Sequence, residues 1–396
     1  MKKREIFLAG IAVFFLFAES VAQQNMKTAS TYTFTGKPQY KIHTTRAGIS
    51  LGDINVELFP AIAPNHVKNF DSLVSTIFFD TTAFHRVIPA FVIQGGDPNS
   101  RHGPKSTWGY GDPSQPTVNA EFSAATHLRG TLAAARDANI NSANSQFYIC
   151  VAPQPGLDGQ YTIYGHVTSG MNYADTIVLQ PRDANDCPLL KIEMFVTYTG
   201  SNDTLPTNPT LNSPADGSQN VPSVKQLKWN KASDDIMYHL EVSIDSLFAT
   251  TFKVVNAAVN YNTVVGLQGS TKYYWRVKAT NGGSWSGYSP VWNFSTTMNA
   301  AVPDLAFEAM GYRLYQNVPN PATGQTAIKY AVPGKGNIQI RLFDMAGNDI
   351  ATLLDEEKIK GEYQVMFDLG KYAAGTYFYL MQAGDSYAVK KLIIEK

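Results

Sequence analysis

Arg86 and Gln94 stand in the stretch FHRVIPAFVIQGGD, residues 84–97, where polar side chains alternate with bulky apolar ones before two glycines and an acid. Neither a nucleophile nor a metal ligand set accompanies them. A guanidinium is permanently charged, planar and rich in rigid donors, and a primary amide both donates and accepts. Beside an apolar hollow such a pair suits chemistry that needs shape and a few fixed donors. Other chemistries lack their residues. The seven histidines, at 43, 66, 85, 102, 127, 166 and 239, show no i, i+4 pair around an acid, so a zincin site is not supported. No G-x-S-x-G, phosphate-cradling G-x-x-x-x-G-K-[ST] or C-x-x-C occurs, which leaves no candidate for covalent or redox catalysis. No cofactor or metal is expected.

Rotation about an X-Pro amide is a reaction of this kind. Resonance sets a barrier of about 18–20 kcal/mol, and no bond is broken. A catalyst must favour the twisted amide, whose proline nitrogen gains a lone pair that a donor can meet. Arg86 is the candidate donor. Gln94 can hold the substrate backbone, and Phe91 with other apolar groups can receive the proline ring.

The elements that would position these groups lie in the first of three compositional segments. From about Tyr40 to Tyr198, short strand-like runs and many Gly, Pro and Asn punctuations surround two helical patterns. In APNHVKNFDSLVST, Val67, Phe70, Leu73 and Val74 follow Pro64 at helical spacing, and MNYADTIVL suggests a second helix. GISLGDINVELFP reads as two strand pieces about Gly52-Asp53. A closed antiparallel barrel with helices over its ends fits this pattern better than a parallel sheet.

FHRVIPAFVIQGGD resembles the signature of the cyclophilin family of peptidyl-prolyl isomerases. The likeness extends, in the family's order, through GDINVELFPAIAPNHVKNF, GTLAAARDANINSANSQFYI and LDGQYTIYGHV. It implies a closed eight-stranded antiparallel barrel with two capping helices and a site on its outer face. It also implies roles: Arg86 matches the catalytic arginine, and Phe91, Val92 and Gln94 match proline-pocket and backbone-binding positions. Ala135 and Gln146 match the substrate groove, while Tyr148, Leu157 and Tyr161 fall at pocket positions. His85 is assigned structural support. Val92 replaces the usual methionine, Tyr148 adds a hydroxyl, and Gly156 stands where eukaryotic members carry tryptophan, which argues against cyclosporin sensitivity. Phe91, Val92 and Leu157 also fit a plain barrel core, Gly95-Gly96-Asp97 a turn, and Asn139, Asn141 and Asn144 loop residues bonding their own backbone.

Residues 199–208 read as a polar, Pro-interrupted linker. Residues 209–298 resemble a fibronectin type III-like β-sandwich, with Trp229, Tyr238, Leu267, Tyr273 and Trp275 as core aromatics and aliphatics, and Trp285 and Tyr288 as alternative sugar contacts. Residues 311–396, through NVPNP, FDMAGN, AAGTYFY and KKLIIEK, resemble the C-terminal sorting domain read by the type IX secretion machinery, an ordinary small β-sandwich being the alternative; the chain is thus expected to be mainly β, a barrel followed by two β-sandwich domains.

The N-terminus agrees with export. A cationic start precedes an apolar run from Ile6 to Ala18, shorter than the about 20 residues a membrane span needs, and then Ser20-Val21-Ala22. Residues 1–22 are expected to be a signal peptide, an uncleaved anchor being the alternative. Cleaved, the chain keeps no membrane span and is bound for the cell surface or medium through the periplasm. Cys150 and Cys187 then suit either a disulfide or two inert buried thiols. Thirty-two basic and 32 acidic residues balance among 396, so global charge predicts no nucleic-acid partner. The expected partners are proline-containing polypeptides and the secretion machinery. The expected activity is isomerisation of X-Pro bonds in exported or surface proteins. Its rival is a non-catalytic surface module gripping proline-containing segments or glycans.

Overall fold

Helix and strand signals in residues 36–202 resolve into eight strands and three helices in the computed structural model, which describes residues 36–222, 225–232, 235–297, 304–344, 349–384 and 386–396. The expected signal segment lies outside the described residues, as does the end of FDMAGN. The strands are β1 Lys37–Arg46, β2 Ile49–Leu58, β3 Phe84–Val87, β4 Val92–Gly95, β5 Thr131–Ala134, β6 Phe147–Cys150, β7 Ile163–Ser169 and β8 Ile192–Asn202. They form one antiparallel sheet in the order β3-β4-β6-β5-β7-β2-β1-β8.

The expectation of a closed barrel is corrected. The sheet curls into a half-barrel, but its edge strands form no ladder: a single bridge, Ala83 to Glu193, joins them. Beside it Thr81 N–H donates to the Met194 carbonyl at 3.0 Å, and Met194 N–H to that of Thr82 at 2.9 Å. The four-residue β3 is too short to pair further along β8.

Helix α1, Pro64–Ser75, and helix α3, Met171–Val178, stand where the two helical patterns predict; a single turn, α2, Asn99–His102, lies between them. Their apolar stripes, Val67, Phe70 and Val74 on α1 and Ala174, Ile177 and Val178 on α3, join Ile42, Ile54, Val56, Leu132, Ile149 and Met194 in the core inside the curl. α1 begins with Pro64 and has no local side-chain cap. Instead Glu121, 55 residues on, accepts the free N–H groups of Asn65 and His66, each at 3.0 Å. The two strand pieces expected about Gly52 are one strand, β2. Gly52 sits at φ +134°, and a Cβ there would lie 2.4 Å from the Tyr173 ring of α3, so only glycine lets helix and strand approach.

Among the described residues the middle unit has eight strands: β9 Leu211–Ser213, β10 Ser218–Val221, β11 Lys225–Trp229, β12 Met237–Ser243, β13 Lys253–Ala257, β14 Tyr261–Val264, β15 Lys272–Thr280 and β16 Trp292–Thr296. They form sheets β10-β16-β15-β12-β13 and β14-β11-β9, and Trp229, Tyr238, Tyr273, Trp275 and Phe294 bury themselves in one cluster fed by both. The last unit opens with α4, Asp304–Ala309, and holds β17 Arg313–Leu314, β18 Gln325–Val332, β19 Gly336–Phe343, β20 Asp349–Lys358, β21 Gly361–Asp368, β22 Gly375–Ala383 and β23 Ser386–Ile394. These form sheets β17-β18-β21 and β20-β19-β22-β23. Val265 of the middle unit packs with Phe343 and Leu380 of the last.

Candidate functional site on the outer face of the sheet

Strand side chains alternate between faces, and the inner core takes Phe84 and Val87 from β3, Ile93 from β4, Phe147 and Ile149 from β6 and Leu132 and Ala134 from β5. Val92, Gln94, Tyr148, Cys150 and Ala133 therefore point outward. The ladder aligns them: Arg86 pairs with Gln94, Gln94 with Tyr148, Tyr148 with Ala133, and Ala133 with Ile163. One row across five strands thus carries a cation, an amide and an apolar floor.

A second apolar cluster covers this outer face. Val92, Ala133, Tyr148, Cys150 and Ile163 are buried in it, and Phe91, Ala135, Leu157 and Tyr161 are partly buried against it. The apolar pocket positions named from the sequence come together here, and none belongs to the core inside the curl. Phe91 sits at the β3–β4 turn, where its N–H donates to the Ile88 carbonyl at 3.1 Å and its own carbonyl accepts from Val151 N–H at 3.0 Å. Leu157 ends a short 3-10 turn, Pro155–Leu157. A Cβ on Gly156 would meet nothing within 4 Å, so the rim is open there.

The Arg86 guanidinium is half-buried and lies 5.9 Å from the Phe91 ring centroid. Among the described residues no hydrogen bond or ion pair holds it, unlike Arg129, which forks onto Asp175 at 2.8 and 2.7 Å. Gln94 Nε2 donates to Gln146 Oε1 at 3.1 Å, and Gln146 Nε2 donates to the Gly109 carbonyl at 3.1 Å. The two amides are thereby fixed in orientation beside Arg86. Ala135 N–H donates to the Gln146 carbonyl at 3.0 Å, tying the end of β5 to the same place.

Beneath this surface His85 is buried; its ring lies beside the Ala83 backbone and the Gln146 side chain without a hydrogen bond of normal geometry to either nitrogen among the described residues. Burial pushes its pKa down, the nearby Asp97 charge opposing only in part. Asp97 is itself fully buried and accepts N–H bonds from Asn99, at 3.1 Å, and from Gly109. A neutral imidazole and a bonded carboxylate thus brace the loop that carries Gly109. Of the three asparagines, Asn139 bonds its own loop at Asn141 N–H, while Asn141 reaches across to Ala120 N–H at 2.9 Å.

Sequence reasoning missed one group. Tyr148 donates its hydroxyl to His127 Nε2 at 3.0 Å, and His127 Nδ1 donates to Asp158 at 2.9 Å. Burial lowers the His127 pKa, keeping the ring neutral and able to accept. The hydroxyl that Tyr148 adds is therefore consumed by a buried partner, and its ring, also buried, packs within the outer apolar cluster. Nothing in the spacing joins His127 to a residue 31 positions away. Tyr161 meets Tyr148 edge-on at 5.9 Å and carries the Arg136 guanidinium at 4.4 Å from its ring centroid. Cys150 and Cys187 are both buried free thiols, and burial pushes Cys150 up to about 12.

Comparison with known proteins agrees with this arrangement. Residues 40–198 match the family model for cyclophilin type peptidyl-prolyl cis-trans isomerases, and residues 317–395 that for the secretion system C-terminal sorting domain. A probable peptidyl-prolyl cis-trans isomerase of Brucella suis is 44% identical over 130 residues; the match covers 32% of this chain and 66% of that relative. A peptidyl-prolyl cis-trans isomerase of Schizosaccharomyces pombe is 39% identical over 146 residues, 37% of this chain and 92% of the relative. A peptidyl-prolyl cis-trans isomerase-like protein of Rhizopus delemar is 39% identical over 137 residues, 35% of this chain and 81% of the relative. With its outer-face row of Arg86, Gln94 and Tyr148 and these relatives, the chain belongs, through residues 40–198, to the cyclophilin-type peptidyl-prolyl cis-trans isomerase family.

Proposed function

We propose that the protein accelerates cis–trans isomerisation of X-Pro bonds in exported or surface polypeptides, without a cofactor. The observation that carries this reading is the unpaired Arg86 guanidinium at the edge of an apolar surface made by Phe91, Val92, Tyr148, Leu157 and Tyr161. A proline ring seated on that surface brings its nitrogen toward Arg86. The planar amide offers that nitrogen no lone pair; the twisted amide does. A hydrogen bond made only in the twisted state lowers the barrier without tightening ground-state binding. The Gln94 and Gln146 amides and the groove at Ala135 hold the flanking backbone, so rotation is confined to the one bond.

The charge cost is small. Arg86 is half-exposed, and it acts as a hydrogen-bond donor with no proton transfer. Leu157 and the open rim at Gly156 leave room for the rotating carbonyl side of the substrate.

The other units address and present this activity. We read residues 209–298 as a fibronectin type III-like sandwich spacer, and residues 311–396 as cargo label for the type IX machinery, with residues 1–22 as export signal. The sorting-domain match supports delivery to the cell surface. Among the described residues no helix is long and apolar enough to cross a membrane. A sugar-binding role for the middle unit finds its rings occupied: Arg276 and Lys278 lie 4.0 and 5.1 Å from the Tyr288 ring centroid, and Lys278 lies 5.0 Å from that of Trp285.

The test is a proline-limited refolding assay together with peptide exchange spectroscopy on the purified chain. Acceleration that disappears in Arg86→Ala supports the isomerase. Binding of proline peptides with no acceleration by the unmodified chain overturns it in favour of a binding module.

A further inference from the structure

Three of the pocket residues are tied to one buried imidazole. His127 lies in the loop before β5 and is 1% exposed. Its ring stacks beside that of Tyr148, with 6.1 Å between centroids and 16° between planes. Nδ1 faces the Asp158 carboxylate at 2.9 Å and so carries the ring hydrogen, which leaves a bare Nε2 to accept from the Tyr148 hydroxyl at 3.0 Å.

The main chain of His127 holds the rim as well. Its N–H donates to the same Asp158 oxygen at 2.7 Å, and its carbonyl accepts from Gln154 N–H at 2.8 Å. Gln154 and Asp158 flank the 3-10 turn Pro155–Leu157. Both ends of the turn that carries Leu157 are therefore fastened to one residue. Within the turn the bonds are local: Leu157 N–H donates to the Gln154 carbonyl at 3.0 Å, and Asp158 N–H to that of Pro155 at 3.2 Å. From the same turn Gln154 Nε2 donates to the Ala90 carbonyl at 2.8 Å, beside Phe91.

We propose that His127 is a positioning residue of the isomerase site: it fixes Tyr148 within the outer apolar cluster, Leu157 at its edge and, through Gln154, Phe91, so that the surface offered to a proline ring keeps its distance from Arg86. This rests on the isomerase reading above. His127 itself meets no substrate, being covered by the residues it holds. Burial outweighs the attraction of Asp158 and lowers the pKa of the ring, so the bracket is made by neutral imidazole. Apolar contact tolerates small shifts of the proline ring, whereas a hydrogen bond to the twisted nitrogen is directional. Loosening the bracket thus costs the twisted state more than the bound planar state and shows in kcat rather than in affinity.

The probe is an Ala-Pro tetrapeptide with the full chain, exchange spectroscopy giving kcat, calorimetry giving affinity, and thermal unfolding followed on the same samples. His127→Asn keeps a donor for Asp158 but frees the Tyr148 hydroxyl. Asp158→Ala releases the turn and, at the partly exposed end of the bracket, serves should the first variant fold poorly. Each should lower kcat at least about threefold, with peptide affinity within about twofold of the unmodified chain. Asp158→Asn keeps an acceptor for both His127 donors and should recover most of that loss. Should kcat stay within about twofold of the unmodified chain in the folded variants, or Asp158→Asn be as slow as Asp158→Ala, the bracket is overturned and the Arg86 site stands. A loss confined to affinity, with kcat kept, also refutes it. No acceleration by the unmodified chain overturns the isomerase reading, and this role with it.

Discussion

Replacing Arg86 by alanine isolates the one group whose value is realised only in the twisted amide. In the free protein the guanidinium touches little: among the described residues its ring contact is Phe91 at 5.9 Å, and none pairs with it. Losing an exposed cation–π contact costs about 0.5–1 kcal/mol of stability, so the variant should stay folded. A hydrogen bond from a charged donor contributes about 1.5–3 kcal/mol net, and each 1.36 kcal/mol is about tenfold in rate. Arg86→Ala should therefore lower kcat/KM about 10- to 150-fold, with peptide affinity nearly unchanged. Arg86→Lys keeps the charge but loses the planar fork and should fall between. Exchange spectroscopy on a short Ala-Pro peptide gives rate and affinity together, and thermal unfolding is followed on the same samples. Activity within about twofold of the unmodified protein, or a loss that tracks unfolding, refutes the assignment.

Three further outcomes follow from the same geometry. Glu57→Gln leaves Lys37 buried without its partner and should destabilise the protein by about 3–5 kcal/mol in urea unfolding. In the unmodified chain burial raises the Glu57 pKa, but bonds and charge from His166 and Lys37 outweigh it and bring it down to about 2. Its stabilising share is accordingly present above the ordinary carboxylate value of 4.5 and is lost as pH falls toward about 2, a loss the Gln variant should lack. His85 has a folded pKa below its ordinary 6.5 because burial disfavours the cation. The unfolded chain then binds the extra proton, and stability should decline as pH drops below about 6.5; His85→Phe, which cannot titrate, should flatten that slope in unfolding measured at several pH values. Gly282→Ala would add a Cβ at a positive φ and against Phe59, costing about 1–3 kcal/mol from the backbone alone; scattering that shows the first two units no closer to separation than in the unmodified chain would contradict this.

Local order was legible along the chain. The helical stripe after Pro64 and that in MNYADTIVL became α1 and α3, because an amphipathic period of 3.6 is written in consecutive residues. Alternation likewise placed Val92 and Gln94 together on one face of β4. The closed barrel was not legible. Whether two edge strands make a ladder depends on the length and direction of β3 against β8, more than a hundred residues apart. The His127–Asp158 bracket under Tyr148 was equally hidden, since it joins a loop to a turn across a fold that neither segment encodes.

By itself the sequence determined which residue types were available for chemistry, an arginine, two amides and an apolar set, and which way each strand would turn them. Those are properties of the residue and of its immediate backbone. Only the tertiary structure decided that Arg86, Gln94, Tyr148, Ala133 and Ile163 share one row, that Arg86 has no hydrogen-bond or ion-pair partner among the described residues, and that Ile236 from a separate unit packs on the outer apolar cluster. Register and docking are set by the mutual fit of distant faces, where a slip of one residue turns every side chain to the opposite side.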